Sequence, residues 1–237
     1  MSLRHIVELL LLSAIWGASF IFMRVAAPEF GALNTASLRL IIAGLTLSPL
    51  LFLVAKPYLA KVENKKTVIA KVALVGFGNS VIPFILFAYA ALNIDAGLAS
   101  IINATTPLWG ALFGILILSN RLGRSGWLGL LLGFIGVYIL SQHKINGGMT
   151  SDLLAILAVI TATSLYGLST NFSKRYLCGV PPLMIASGTM ASSALLMVPF
   201  LLTTELDLFS VSSQAWLAVL ALGTVSTGFA YVLFYPW

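Results

Sequence analysis

Trp16-Gly17-Ala18-Ser19-Phe20-Ile21-Phe22-Met23-Arg24 closes the first apolar run of the chain, and its order returns 150 residues later as Tyr166-Gly167-Leu168-Ser169-Thr170-Asn171-Phe172-Ser173-Lys174. Both stretches run aromatic, glycine, any residue, serine, with a cation eight places after the aromatic. Pro49 and Pro199 stand at the same offset. Two landmarks held in one register point to an internal repeat, and a repeat must be recognised before any local motif is read.

Composition names the solvent. Hydrophobic residues make up 59% of the 237 and charged residues 8%, with a mean hydropathy of +1.03, where soluble domains carry roughly 25% charged residues. The expected class is therefore an all-α polytopic membrane protein. Counted against the ~20 residues a helix needs to cross the hydrocarbon layer, eight spans emerge: 6–25, 33–54, 72–92, 98–119, 125–140, 153–172, 182–203 and 215–237. The break after the first span is expected at Ala26-Ala27-Pro28-Glu29-Phe30-Gly31, and a loop is expected over Lys56 to Lys71, where five lysines face Glu63 alone. The first apolar run is too long for a cleavable signal peptide and lacks a small-residue cleavage site.

The net charge of +6 is assigned to loops facing the cytoplasm, not to a nucleic-acid surface. Arg4, the five lysines, Arg121, Arg124, Lys174 and Arg175 fall on one side; Arg24 and Lys144 fall on the other, as does the cation-free segment with Glu205 and Asp207. By the positive-inside rule the N-terminus is cytoplasmic. Five spans precede the polar linker at 142–151, so the first repeat covers residues 1–141 and the second, entering from the opposite face, covers 152–237. Inverted repeats of this kind underlie alternating access in many secondary transporters. Aligning Gly78 with Gly223 pairs the third span with the eighth, and counterparts of the fourth and fifth spans are missing, giving eight of an expected ten helices.

The chain resembles the drug/metabolite transporter superfamily, EamA type. The residues that carry the likeness are Trp16-Gly17 with Ser19-Phe20 and Arg24, Arg39 in span two, Pro107-Leu108 in span four, Gly133-Phe134-Ile135-Gly136-Val137 in span five, and Tyr166-Gly167 with Lys174 in the second repeat. The pattern departs at Asn120, where the family usually has a glutamate before the basic residue that here is Arg121, and in the lack of spans nine and ten, the ninth of which helps line the family's central cavity. The resemblance implies an inner-membrane secondary carrier, an exporter, of small metabolites or drugs. The alternative is a truncated, transport-inactive protein or a half-assembly that borrows spans from a partner.

Individual residues sharpen this. An arginine inside a span costs about 2.5–3.5 kcal/mol at the bilayer centre on insertion scales, so Arg39 is a functional candidate by default. About six residues into its span, it can snorkel toward the far interface, and a structural or orienting role is expected ahead of direct substrate contact, while Arg24, near a span end, reads as an anchor. Pro83 and Pro107 each deprive a carbonyl four residues earlier of its donor, and those carbonyls belong to Asn79 and Asn103. In lipid such groups must be buried or line a wet cavity, which makes Asn79 and Asn103 candidates for a polar substrate path. Trp16, Tyr166 and Tyr89 can wall the same cavity, and Ser19 and Ser169, three residues beyond the repeated aromatics, share a face with them. Gly126, Gly129, Gly133 and Gly136 form a stripe read as close helix packing, and Pro107 is grouped with them.

Enzyme chemistry finds no carriers. His5 and His143 have no partners at metal-ligand spacing, no carboxylate pair falls inside a span, and Cys178 is the single cysteine, so neither an intrachain disulfide nor a thiolate cluster can form. No catalytic residue, metal or cofactor is expected. The expected partners are the bilayer, a small-molecule substrate and, as an open alternative, a second copy of the chain.

Overall fold

In a computed structural model of the chain, residues 3–145, 152–204 and 210–234 are described, and every regular element among them is helical. Eight helical spans are long and apolar enough to cross a membrane, as the sequence predicts. Glu205, Asp207, most of the linker and Trp237 lie outside the described residues, as do the side chains of His143 and Lys144.

The first two spans are α1 (Leu3–Phe30) and α2 (Ala32–Lys61). Contrary to the expected break, α1 continues through Pro28, because a proline in the final turn removes one hydrogen bond without ending the helix. The chain turns at Gly31 (φ 77°, ψ 162°), a conformation that side-chain-bearing residues rarely adopt. α2 likewise runs through Pro49 and Pro57, so the expected lysine loop shrinks to residues 62–64. Its lysines stand on the terminal turns of α2 and on the next helix, where their long stems can carry the charge to the polar layer.

The third span is built from α3 (Lys65–Gly76), a π-helical turn over Phe77–Val81 and α4 (Ile82–Asn93). Pro83 cannot bond the Asn79 carbonyl, and the ladder is re-threaded so that the Ile82 N–H reaches back five residues to Phe77. The fourth span is α5 (Ala96–Asn103) and α6 (Thr106–Leu118), parted at Ala104-Thr105 just ahead of Pro107. The Asn103 carbonyl accepts from the Thr106 hydroxyl at 2.8 Å. Asp95 caps α5 by accepting from the Leu98 N–H at 2.9 Å. α7 (Arg124–Ile145), α8 (Asp152–Tyr176) and α9 (Pro182–Leu202) follow. The last span comprises α10 (Ser213–Gly223), a second π-helical turn over Thr224–Phe229, and α11 (Ala230–Phe234).

At the centre α2 lies along α9, the most extensive pairing in the bundle; α8 packs on α6 and α4, and α1 on α10. Small residues let these backbones approach: a Cβ placed on Gly44 would lie 2.7 Å from Ala194 Cβ, and one on Gly223 2.5 Å from Ile42 Cβ. The start of α10 is tied to the end of α1 by Glu29, whose carboxylate accepts from both the N–H and the hydroxyl of Ser212 at 2.6 Å.

The expected glycine packing of α7 needs correction. Among its described residues only Leu130 and Ser141 are buried. Gly133 faces Leu108, whose Cδ2 would lie 2.8 Å from an added Cβ, but nothing lies within 4 Å of one on Gly129 or Gly136. α7 rides on the edge of the bundle, so of its glycine stripe only Gly133 meets another helix within the described residues.

Candidate functional site

The π-helical turns, the α5–α6 break, Arg39 of α2 and stretches of α1 and α8 surround a cavity of about 590 Å³, a size that suits a small organic ligand. These irregular segments line a cavity, which is where non-helical backbone at membrane depth is tolerated. Aromatic rings make the walls. Trp16 tilts against Phe234 at 5.5 Å between ring centroids, Phe20 meets Phe87 edge-on at 5.6 Å, and Tyr166 stacks on Phe87 at 5.9 Å.

Polar groups enter from five directions. Arg39 projects from α2 and is 5% exposed; its Nε donates to Thr227 Oγ1 at 2.9 Å, Nη1 points at Met23 Sδ at 3.8 Å, and the guanidinium sits 3.7 Å above the centroid of the Phe84 ring, a cation–π arrangement. Asn79 donates from Nδ2 to the Tyr231 hydroxyl at 3.1 Å, joining the two π-helical turns' spans across the cavity. Asn103 comes from the end of α5, and its side-chain oxygen accepts from Thr106 at 3.3 Å. Ser19 lines the wall while its hydroxyl donates to the Trp16 carbonyl at 2.6 Å. Ser226 completes the set: it is 1% exposed, and its hydroxyl has no hydrogen-bond partner among the described residues.

Five of the six residues expected on the substrate path therefore share one cavity: Trp16, Ser19, Asn79, Asn103 and Tyr166. Ser169 does not line it. Its hydroxyl lies 2.8 Å from where a Cβ on Gly78 would sit, against the backbone of the third span. Serine at helical spacing from an aromatic shares its general face, but α8 is packed on two sides and the neighbouring helix claims that position. Tyr89 is also absent from the lining, and Asn171 is used elsewhere, its amide donating to the Gly110 and Gly167 carbonyls at 2.8 Å each.

Pro107, grouped with the packing residues, lines the cavity, and Arg39 belongs to it outright. Arg24 lies outside, donating to the carbonyls of Ala91 at 2.6 Å and Ile94 at 3.2 Å at the end of α4, the helix terminus that favours a cation. Phe84, Tyr231, Ser226 and Thr227 are lining or orienting residues that sequence reasoning passes over. The available signal is the hydroxyl pair Ser226-Thr227 in the middle of an apolar span.

Eight apolar spans, six of them lining a cavity that holds a buried cation, make a multi-pass membrane protein. Its family follows from comparison: the model of the EamA-like transporter family matches residues 4–142 and 153–236, and the chain belongs to that family of membrane transporters. It is 24% identical over 226 residues to the uncharacterized transporter YoaV of Bacillus subtilis, covering 93% of this chain and 75% of that protein. It is 25% identical over 238 residues to a Salmonella typhimurium protein named "Probable amino-acid metabolite efflux pump", covering 94% and 74%. The uncharacterized inner membrane transporter YedA of Escherichia coli is 22% identical, covering 86% and 64%. A solved crystal structure of a protein 19% identical to this chain superposes with a TM-score of 0.56, covering 94% of this chain and 77% of the other, and shares its fold. These likenesses indicate a transporter rather than an enzyme.

Proposed function

We propose that the chain is an inner-membrane exporter of small metabolites or drugs, with a cytoplasmic N-terminus, that works by alternating access of two inverted repeats around the Arg39 cavity. The observation that carries this reading is the cavity itself, which takes Trp16, Asn79 and Asn103 from one half of the chain and Tyr166, Ser226 and Tyr231 from the other. A site built across two halves changes its exposure when they rock against each other.

The pairing of helices supports inversion. α1 of the first half packs on α10 of the second, and α8 of the second half packs on α4 of the first, while α2 and α9, their expected counterparts, pair with each other. The third and eighth spans each carry a π-helical turn at mid-length. Export as the direction is favoured by the name of the Salmonella relative.

The experiment is flux in reconstituted vesicles combined with tags that report topology. Trp16→Ala and Asn103→Leu are expected to abolish transport while insertion survives. Unchanged flux in both variants counts against the cavity, and tags at the amino end and in the linker reporting the same face of the bilayer count against inversion.

A further inference from the structure

Arg39 is a buried cation with no carboxylate beside it among the described residues. A charge removed from water is normally paired or heavily hydrogen-bonded, yet among the described residues the guanidinium meets one hydroxyl, one thioether sulfur and the face of one ring. A guanidinium offers five N–H donors, and these contacts use two of them. The acids whose side chains are described are engaged elsewhere or sit at connections: Glu8 pairs with Arg4, Glu29 holds Ser212, Asp95 caps α5, and Glu63 lies between α2 and α3. Beside Thr227, which fixes Nε, stands Ser226 with its buried and unpartnered hydroxyl.

We infer that Arg39 and Ser226 form an anion subsite, and that the transported solute is a small amphipathic monocarboxylate whose charged end bonds these two residues while its apolar body lies among Trp16, Phe20, Phe87 and Tyr166. The inference rests on the carrier reading and adds the substrate's chemical class. Three features select this class. The remaining guanidinium donors form a fork that matches the two oxygens of a carboxylate. A single positive charge balances a monoanion and leaves a doubly charged phosphate group half-neutralised. A cationic solute would meet Arg39 with no acid in the cavity lining to receive it.

The test compares acid and amide pairs that differ by one charge: phenylacetate against phenylacetamide, and hexanoate against hexanamide, with phenethylamine as the cation. Binding to the purified full chain in nanodiscs is read by ligand-dependent thermal shift and by quenching of intrinsic tryptophan fluorescence. The acid of each pair is expected to bind roughly tenfold to a hundredfold more tightly than its amide, the range a charge-assisted hydrogen bond supports. Arg39→Gln should abolish that preference and Arg39→Lys should retain part of it, since lysine keeps the charge and loses the fork. Ser226→Ala should weaken the acid several-fold and leave the amide unchanged.

Equal binding of acid and amide by the wild type, tighter binding of the amine, or no binding of either acid overturns the inference, and none of these outcomes depends on a variant that folds. Flux is scored separately. Acid binding without flux of any probe supports the anion subsite and sinks the carrier reading; flux of the amides or the amine without acid preference sinks the subsite and leaves the carrier.

Discussion

The two copies of the repeated motif place their aromatics alike and their glycines differently. Trp16 and Tyr166 both face the cavity. Gly167, however, is pressed against the fourth span, where an added Cβ would lie 2.7 Å from the Gly110 nitrogen, whereas a Cβ on Gly17 would meet nothing within 4 Å. The cations part as well. Arg24 is bonded to the end of α4, while Lys174 is exposed and its neighbour Arg175 donates to the Ile117 carbonyl instead. One motif thus carries two separable tasks: presenting a ring to the cavity, which both copies perform, and admitting a neighbouring helix, which only the second copy performs within the described residues. On the inverted-repeat reading, α8 has its Gly167 face covered by the fourth span, and the helix equivalent to that span would cover Gly17.

The largest expected effect tests this directly. Gly167→Val drives a branched side chain into the Trp109–Gly110 backbone, which cannot yield as a side-chain tip can. Overpacking costs of about 1–3 kcal/mol are usual where side chains can shift, and this site should reach or exceed the top of that range. Gly17→Val should stay within about 1 kcal/mol of wild type, since it meets no neighbour. Thermal inactivation midpoints in detergent, measured for both, decide between them; a large loss at Gly17 would mean that its face is covered in the assembled protein.

A smaller effect separates the cations. Arg24→Gln removes two charge-assisted bonds to the end of α4 and should cost about 1 kcal/mol, reduced from the usual 1.5–3 because the side chain is exposed. Lys174→Gln should stay within about 0.5 kcal/mol of wild type, as surface substitutions usually do. Denaturation of the two variants in mixed micelles gives the comparison, and equal losses would show that the repeated cations do the same work.

Eight spans and part of the cavity were legible because lipid leaves little freedom: a polar residue inside an apolar run has to be accounted for, and Asn79 and Asn103, singled out on that ground, converge on one space with Arg39 and Pro107, which were read for other roles. Helix ends were less legible. Pro28 and Pro57 fall where breaks are expected by composition, yet helix continues past both, and the turn after α1 falls at Gly31, whose backbone takes a conformation other residues avoid. The neighbours of α7 and α8 were not legible at all. Spacing places Ser169 near Tyr166 and aligns Gly129 with Gly136, but whether another helix occupies a face is a property of the bundle, not of the helix.

That limit gives the mildest prediction, posed within a single helix. Gly133 and Gly136 sit three residues apart on α7 and look equivalent by composition, yet an added Cβ on Gly133 would meet Leu108 Cδ2 at 2.8 Å and one on Gly136 would meet open space. Leu108 Cδ2 is the tip of a flexible side chain and can move a few tenths of an ångström, so Gly133→Ala should cost no more than about 1 kcal/mol. Gly136→Ala adds helix propensity without a neighbour and should be neutral or stabilising by up to about 1 kcal/mol. Paired thermal midpoints would show opposite signs for the two. A loss at Gly136 equal to that at Gly133 would place a helix against this face, and the same substitution at Gly17 would then tell whether the exposed faces of both halves are covered together.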